Sequence, residues 1–311
     1  MLNILYCLDE NYNSQAFSSI ISVLDSSSSK LNFFIIHKNP ETMGNLPKKI
    51  SQHINLNEIK ILHFKADNKY FPNVENAHVS EATYYRLYIE SLLPEDLEDI
   101  LYLDCDVICI NDPIKEVLNI SKTLKNSEKV IAVKTEFTKD SSNKKFFEDL
   151  DVNLKQYFNA GVMYIDLDKW RNINVEKKSL SILNDRKEGL KYWDQDVLNI
   201  LFNGEYLELD ERLNFKIGGD KLYSKELKLS DKEIFLHYMG SKKPWTIEGL
   251  LDINSKYYQL NYMKIYKKNY HIVNKWRKYS LYLFIKNTLN LKLIINTKYI
   301  IMMKSYLKSL F

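Results

Sequence analysis

With 311 residues, 45% of them hydrophobic and 13% aromatic, the chain carries enough apolar mass for one large core or two smaller ones, and its eight glycines and six prolines exclude collagen-like sequence, low-complexity linkers and strings of small modules. Three cysteines, Cys7, Cys105 and Cys109, are odd in number and lack metal-finger spacing, so neither a disulfide framework nor structural zinc is expected, and a reducing cytosol fits best. The net charge of +4 hides an acidic body and a basic tail: residues 253–311 hold eleven lysines and one arginine with no acid, leaving 32 basic against 40 acidic residues before them.

Met1 to Leu8 has no basic residue ahead of its apolar run, and Asp9-Glu10 ends that run, so a first strand is expected there rather than a secretory leader. Ala16 to Leu24 then shows helical recurrence, Leu31 to His37 predicts a second strand, Leu46 to His53 a helix, and Ile59 to Phe64 a third strand. This alternation predicts an α/β fold with a mainly parallel sheet and helices on both faces. Ligands of such sheets lie beyond the carboxyl ends of the strands, where Asp9 and Asp104 both fall. Ser80 to Glu90 predicts a helix closed before Pro94. Its Arg86 either pairs with a nearby acid at the surface or aims its guanidinium into the crevice, toward hydroxyl or carboxylate groups.

Ile100 to Leu103 predicts a buried strand that runs into Asp104 and Asp106, one residue apart. In an extended segment residues i and i+2 project to the same side, so both carboxylates can address one centre beyond the sheet. Paired oxygen ligands suit Mn²⁺ or Mg²⁺, which in turn holds a diphosphate; the alternative is that the two acids cap a loop. Asn111-Asp-Pro-Ile opens a helix, Val130 to Lys134 predicts a strand, and 135–151 a polar loop with a short helix at Lys145 to Leu150. Tyr157 to Asp166 is a small-residue corner leading into a strand, with Gly161 marking either close approach of a ligand or a bulge. Val197, Leu198, Leu201 and Phe202 recur at helical spacing, which puts Asp194, Gln195 and Asp196 in a first turn favoured for acids. Ile234 to Trp245 predicts a strand ending at His237, then a turn with Gly240 and Lys243, the pattern of a third metal ligand beside a phosphate-binding lysine.

Taken together, Asp9-Glu-Asn-Tyr12, Thr83-Tyr-Tyr-Arg86, Tyr102-Leu-Asp-Cys-Asp106, Phe158-Asn-Ala-Gly161, Asp194-Gln-Asp196 and His237-Tyr-Met-Gly-Ser-Lys-Lys-Pro-Trp245 resemble, in order, the motifs of glycosyltransferase family 8, retaining enzymes of GT-A fold that include bacterial lipooligosaccharide galactosyl- and glucosyltransferases. The resemblance implies that Asp104, Asp106 and His237 ligate Mn²⁺ on the diphosphate of a UDP-sugar. It implies that Asp9, Asn11 and Tyr12 hold the uridine, that Gly240 and Lys243 meet the phosphates, and that Arg86, Asn159, Ala160, Asp194 and Gln195 line the sugar pocket. His78 matches an acceptor-side position. Where the family often carries an Asp after the strand at 130–134, this chain has Thr135 and Glu136. Retention is compatible with a covalent intermediate or with same-face attack. An amide is a poor nucleophile, so the second is favoured, with the Gln195 oxygen stabilising the cation and Asp194 orienting the sugar.

A helix numbered through 261–280 at about 100° per residue places Lys264, Lys267, Lys268, His271, Lys275 and Lys278 within an arc of about 100°, opposite Ile265, Tyr266, Ile272, Val273 and Trp276. This predicts a basic amphipathic anchor lying on an anionic membrane surface. Lysines interrupt every later apolar run short of the roughly 20 residues of a span. The expected organisation is a catalytic domain at 1–252 and a membrane-association tail at 253–311, in an enzyme at the inner face of a bacterial cytoplasmic membrane acting on a glycolipid or cell-surface glycan. The rivals are a self- or protein-glucosylating enzyme of the same fold and nucleic-acid binding by the tail, which the acidic body opposes.

Overall fold

The computed structural model describes residues 1–65, 71, 80–150, 154–186, 190–218, 227, 229, 232–274 and 277–310, apart from the side chains of 277 and 278. Among them are ten strands: β1 (Leu2–Leu8), β2 (Leu31–His37), β3 (Leu56–His63), β4 (Asp99–Leu103), β5 (Val107–Cys109), β6 (Ile131–Thr138), β7 (Gln156–Asp166), β8 (Leu207–Glu208), β9 (Phe215–Gly218) and β10 (Phe235–Met239). The central sheet runs β3-β2-β1-β4-β7-β6-β8, and a smaller one runs β5-β10-β9. Strands β1, β2, β3 and β4 are parallel, while β7 lies antiparallel to both β4 and β6. The expected α/β class with a mostly parallel sheet is what forms.

Period-two alternation explains how one sheet feeds two cores. Leu5, Cys7, Ile100 and Tyr102 enter one apolar cluster with Tyr85 and Trp170. Ile4, Tyr6, Leu8, Leu101 and Leu103 enter the other, against Ile20 and Leu24 of the helix Asn13–Ser26. The chain moves outward from β1 to β3, then returns to the far side of β1 as β4. This reversal is the switch point at which open α/β sheets leave a crevice beyond their carboxyl ends.

Four local expectations change. The helix expected at 46–53 shrinks to Lys48–Ser51, because Pro47 stands immediately before it and leaves a single turn. Residues Glu81–Tyr88 form a 3₁₀ rather than an α-helix, started by the Ser80 side chain. The polar segment expected as a loop starts later than expected, since β6 continues to Thr138, paired with β7 and with Phe137 stacked on Tyr157 at 5.0 Å, while the short helix expected within it forms at Lys144–Asp149. His237 lies at the middle of β10, between Val107 and Lys216 on its neighbours, rather than at a strand end.

The continuous helix expected across 261–280 is broken. A helix spans Lys256–Ile265, then Lys267 and Lys268 turn with φ of 56° and 64° and the backbone leaves the helix. The tyrosine and histidine rings cause the turn to be worth making: Tyr262 stacks on Tyr266 at 4.3 Å and on His271 at 4.5 Å, and His271 accepts or shares a hydrogen bond with the Tyr258 hydroxyl at 2.6 Å. Ile265 and Tyr266 pack against the second cluster on the side of the helix Asn13–Ser26, whose Ser14 hydroxyl donates to the Tyr266 hydroxyl at 3.2 Å, and Ile272 is buried with Ile247, Leu250, Leu293, Met302 and Tyr306. These three residues therefore face protein, not lipid. Lys275 and Trp276 lie outside the described residues, as does the Lys278 side chain. Further helices follow at Arg277–Leu289, Lys292–Asn296 and Tyr299–Ser309. Among the described residues, no helix is long and apolar enough to cross a membrane.

Candidate active site

A cleft of about 600 Å³, open to solvent, sits at the β1/β4 switch point and is lined by Leu8, Tyr12, Thr83, Arg86, Asp104, Asp106 and Lys243 among others. Asp104 and Asp106 do not converge by lying on one extended strand. After Leu103 the chain turns, with Val107 N–H bonded to the Asp104 carbonyl at 3.1 Å, and enters β5 of the small sheet. The two carboxylates thus sit at the junction of the two sheets, each with its own partners.

On the Asp104 side the organiser is Arg86. Its Nη2 donates to Asp104 Oδ1 at 2.8 Å, its Nη1 to the Ala160 carbonyl at 2.7 Å, and its Nε to the Thr83 carbonyl at 3.2 Å. The guanidinium also covers the Tyr102 ring at 4.2 Å, while the Tyr102 hydroxyl donates to Asp104 Oδ1 at 2.5 Å. Asp194 Oδ2 lies 2.9 Å from Nε without receiving its hydrogen, so that contact is ionic, and Thr83 donates to Oδ1. Burial pushes the Asp194 carboxyl up to about 6, against the pull of Arg86 and Thr83. Burial works against the charge of Arg86 too, but Asp104 and Asp194 keep it protonated. Arg86 is thus a buried clamp between two acids at the wall of the cleft.

On the other side, Lys243 donates to Asp106 Oδ2 and, at 2.8 Å, to the Tyr238 carbonyl. Burial raises the Asp106 carboxyl, but Lys243 and then His237 outweigh it and hold the group well below the usual carboxylate range. His237 Nδ1 lies 2.9 Å from Asn214 Oδ1. An amide oxygen only accepts, so Nδ1 carries a proton, and Nε2 is the ring atom turned toward the acids. That Nε2 faces Asp106 Oδ1 at 3.3 Å, and Oδ1 is buried with no hydrogen-bond partner.

The strand β7 supplies the floor through a bulge. Its register to β6 jumps between Val133↔Met163 and Lys134↔Asn159, which frees Ala160, Gly161 and Val162 from β6. Gly161 carbonyl accepts from Asp104 N–H at 2.8 Å. A Cβ at Gly161 would stand 2.1 Å from His237 Cε1 and 2.9 Å from Asp104 Oδ2, so only glycine lets the strand pass beneath both. Asn159 Oδ1 accepts from Gly161 N–H at 3.0 Å and from Asn214 Nδ2 at 3.1 Å, which joins the bulge to the His237 support. Gln195 Oε1 accepts from Ala160 N–H at 2.9 Å, so one lone pair of that oxygen is already engaged.

The first turn of the helix Trp193–Phe202 separates its acids. Asp194 points to Arg86, whereas Asp196 binds the Tyr157 hydroxyl and accepts N–H groups of Lys191 at 2.6 Å and Tyr192 at 2.8 Å, a capping job. Asp9 is likewise a cap: its Oδ1 accepts Asn11 N–H at 2.9 Å and fixes the turn Glu10–Tyr12, from which Tyr12 meets Trp245 edge-on at 6.2 Å. Gly240 follows β10 with φ of 77°, between His237 and Lys243. Glu136, in β6, contacts Asn159 Nδ2 at 3.4 Å and Lys216 at 3.3 Å. His78 lies outside the described residues. Asn214 escaped the sequence reading, since Leu213-Asn-Phe215 carries no motif and reaches His237 only through the pairing of β9 and β10.

One ligand atom each from Asp104, Asp106 and His237 falls within 4.8 Å of the others. The buried Asp106 Oδ1 and the imidazole Nε2 facing it are brought together by a cation, either a proton on Nε2 or a metal ion. Two carboxylates and one imidazole form a donor set that fits Mn²⁺ or Mg²⁺.

A family model described as glycosyl transferase family 8 matches residues 3–249. A lipopolysaccharide 1,2-glucosyltransferase of Escherichia coli K12 is 32% identical over 252 residues, covering 78% of this chain and 72% of that protein. A lipopolysaccharide 1,3-galactosyltransferase of Salmonella typhimurium is 26% identical over 268 residues, 83% of this chain and 77% of its own. Among solved structures, the galactosyltransferase LgtC in complex with donor and acceptor sugar analogues superposes with a TM-score of 0.68 at 21% identity, over 85% of this chain and 96% of that one. This last likeness is one of fold.

Proposed function

The chain belongs to glycosyltransferase family 8, and from that premise we propose that it moves a hexose, glucose or galactose, from a UDP-sugar to a glycolipid or cell-surface glycan with retention of configuration. The observation that carries the donor half of this reading is the convergence of Asp104, Asp106 and His237 beside Lys243. In this proposal those three residues hold Mn²⁺, which when bound neutralises charge on the diphosphate leaving group. Lys243 then exchanges its bond to Asp106 for the phosphate oxygens, and the left-handed backbone at Gly240 lets main-chain N–H groups approach them. Tyr12, set by the Asp9 cap with Asn11 on the same turn, provides the uracil platform.

Arg86 does not touch the sugar in this scheme. It fixes the Ala160 carbonyl, Asp104 and Asp194 so that the pocket wall stays put as charge develops. Gln195 has one lone pair left beyond its bond to Ala160 N–H, and that pair is the proposed stabiliser of the oxocarbenium-like sugar, with Asp194 and Asn159 orienting the ring. The acceptor hydroxyl attacks the same face, its proton passing to the departing phosphate. We place the enzyme peripherally at the inner face of the cytoplasmic membrane, where its basic C-terminal segment meets anionic lipid.

The test is UDP release from a panel of UDP-sugars by the full chain, with and without Mn²⁺ and with chelator. Mn²⁺-dependent release from one UDP-hexose supports the reading. Equal rates in chelator, or no release from any UDP-sugar in the panel, would overturn the donor and metal assignment.

A further inference from the structure

The basic segment does more than carry charge: it is folded into a shaped cleft. Lys267, Lys268, Lys304 and Lys308 surround an open cavity of about 770 Å³ whose wall includes Ile301 and Leu307. One side is the turn after the helix Lys256–Ile265, closed by Lys268 N–H on the Met263 carbonyl at 3.0 Å and by Asn269 Nδ2 on the Tyr266 carbonyl at 3.0 Å. The other is the helix Tyr299–Ser309. Tyr270 pins the two together, its N–H donating to Ser305 Oγ at 3.0 Å and its hydroxyl accepting Lys298 N–H at 3.0 Å. Two consecutive lysines hold left-handed backbone here, a conformation that side-chain-bearing residues adopt at a cost and that clusters at functional positions.

Helical spacing sorts the Tyr299–Ser309 helix cleanly. Met302, Ser305 and Tyr306 are buried against the lobe, while Ile300, Lys304, Leu307 and Lys308 share the opposite, exposed face. No acid follows residue 252, and among the described residues none of the four lysines makes an ion pair. The lobe shows a second exposed apolar row, Tyr282, Ile285 and Leu289 of the helix Arg277–Leu289. Four unneutralised ammonium groups round an apolar-walled cavity match one ligand chemistry, a phosphate attached to hydrocarbon.

We propose that this cleft is a binding site for the phosphate headgroup of an anionic phospholipid, the lysines taking the phosphate and Ile300, Ile301 and Leu307 its first acyl carbons. The inference rests on the peripheral location proposed above and narrows it to one site. Lysines act here as point charges on flexible stems, so headgroup charge is read more than headgroup shape.

Full-length protein is co-sedimented with phosphatidylcholine vesicles, pure or containing phosphatidylglycerol, alongside a Lys304→Gln/Lys308→Gln variant and a Lys286→Gln/Lys292→Gln control. The cleft variant is expected to bind anionic vesicles about thirtyfold more weakly, from the loss of two lysines near an anionic surface. The control, with the same charge change outside the cleft, is expected to lose clearly less. Equal losses in both variants, or none in either, would overturn the site and leave only diffuse attraction. If sn-glycerol 3-phosphate at millimolar concentration binds as well as vesicles do and displaces them, the site is one for soluble phosphates and the lipid assignment fails. UDP-sugar turnover in solution is measured on the same samples: its absence beside cleft-dependent vesicle binding would sink the donor reading and leave this site standing.

Discussion

The switch-point cleft and the C-terminal lobe are both crowded with charge, yet they treat it in opposite ways. In the cleft, Arg86, Asp104, Asp106, Asp194 and His237 are wholly or largely enclosed, and each is held by named partners at fixed distances. In the lobe, Lys267, Lys268, Lys304 and Lys308 are exposed, and no described acid meets them. Buried charges are expensive unless paired, and here two carboxylate oxygens, Asp106 Oδ1 and Asp194 Oδ2, lack a hydrogen-bond donor, the first of them facing His237 and the second the Arg86 guanidinium. Exposed charges are cheap, and their lack of partners says only that an anionic surface would be welcome. Substitutions in the cleft should therefore have large, specific effects, and those in the lobe small and salt-sensitive ones.

The largest effect is expected from Asp106→Ala, which removes one candidate ligand and the partner of Lys243: turnover should fall about a thousandfold, since a metal supplies several kcal/mol at the transition state. Circular dichroism should show the fold retained, and steady-state UDP release measures the loss. Gly161→Ala comes next. Its methyl would overlap His237, so the fold should lose about 1–3 kcal/mol in denaturant titration, with Mn²⁺ affinity falling alongside. Unchanged stability would mean the bulge is softer than its contacts indicate.

Asn214→Ala should cost about 10–100-fold in Mn²⁺ affinity by freeing the His237 tautomer, and Asn214→Asp, which still accepts from Nδ1–H, should restore most of it. Equal affinity in all three proteins would reduce Asn214 to a packing residue.

Asp194 gives a pH signature. Its folded-state pKa of about 6 lies above the unfolded value near 4, so the folded chain binds the proton more tightly and ionisation opposes folding. That contribution is fully favourable below the unfolded value and is lost as pH rises through about 6. Urea unfolding between pH 4 and 6.5 should show this decline in the wild type and not in Asp194→Asn; identical slopes would contradict the burial argument. The smallest effect is predicted in the lobe, where Lys264 and Asp25 form a half-exposed pair at 2.6 Å: Lys264→Ala should cost under about 1 kcal/mol and vanish into noise at high salt. A stability loss as large as that at Gly161 would erase the contrast between the two regions.

What the sequence disclosed follows the same division. Asp104, Asp106, His237 and Lys243 were legible because short motifs carry them, and the strands flanking them are apolar enough to place. The means of convergence were not legible: the turn at Asp104–Val107, the three-residue bulge at Ala160–Val162 and the Asn214 support all depend on pairings between strands far apart in the chain. The tail misled for a related reason. Lys264 to Lys278 has a regular helical period, but period alone cannot register that stacking of Tyr262, Tyr266 and His271 is better satisfied by a turn at Lys267. Asp9 and Asp196 both stand within the motifs and each also accepts a backbone N–H at a helix start, a role that stays invisible until the start is known.

The central claim is that Asp104, Asp106 and His237 together make a divalent-cation site. It is tested most directly by titrating the full chain with Mn²⁺ and following free ion by electron paramagnetic resonance, for the wild type, Asp106→Ala and His237→Ala, with and without UDP. The account predicts one Mn²⁺ bound per wild-type chain, tighter with UDP present, and loss of that site in both variants. Mn²⁺ uptake by the two variants equal to that of the wild type would contradict it.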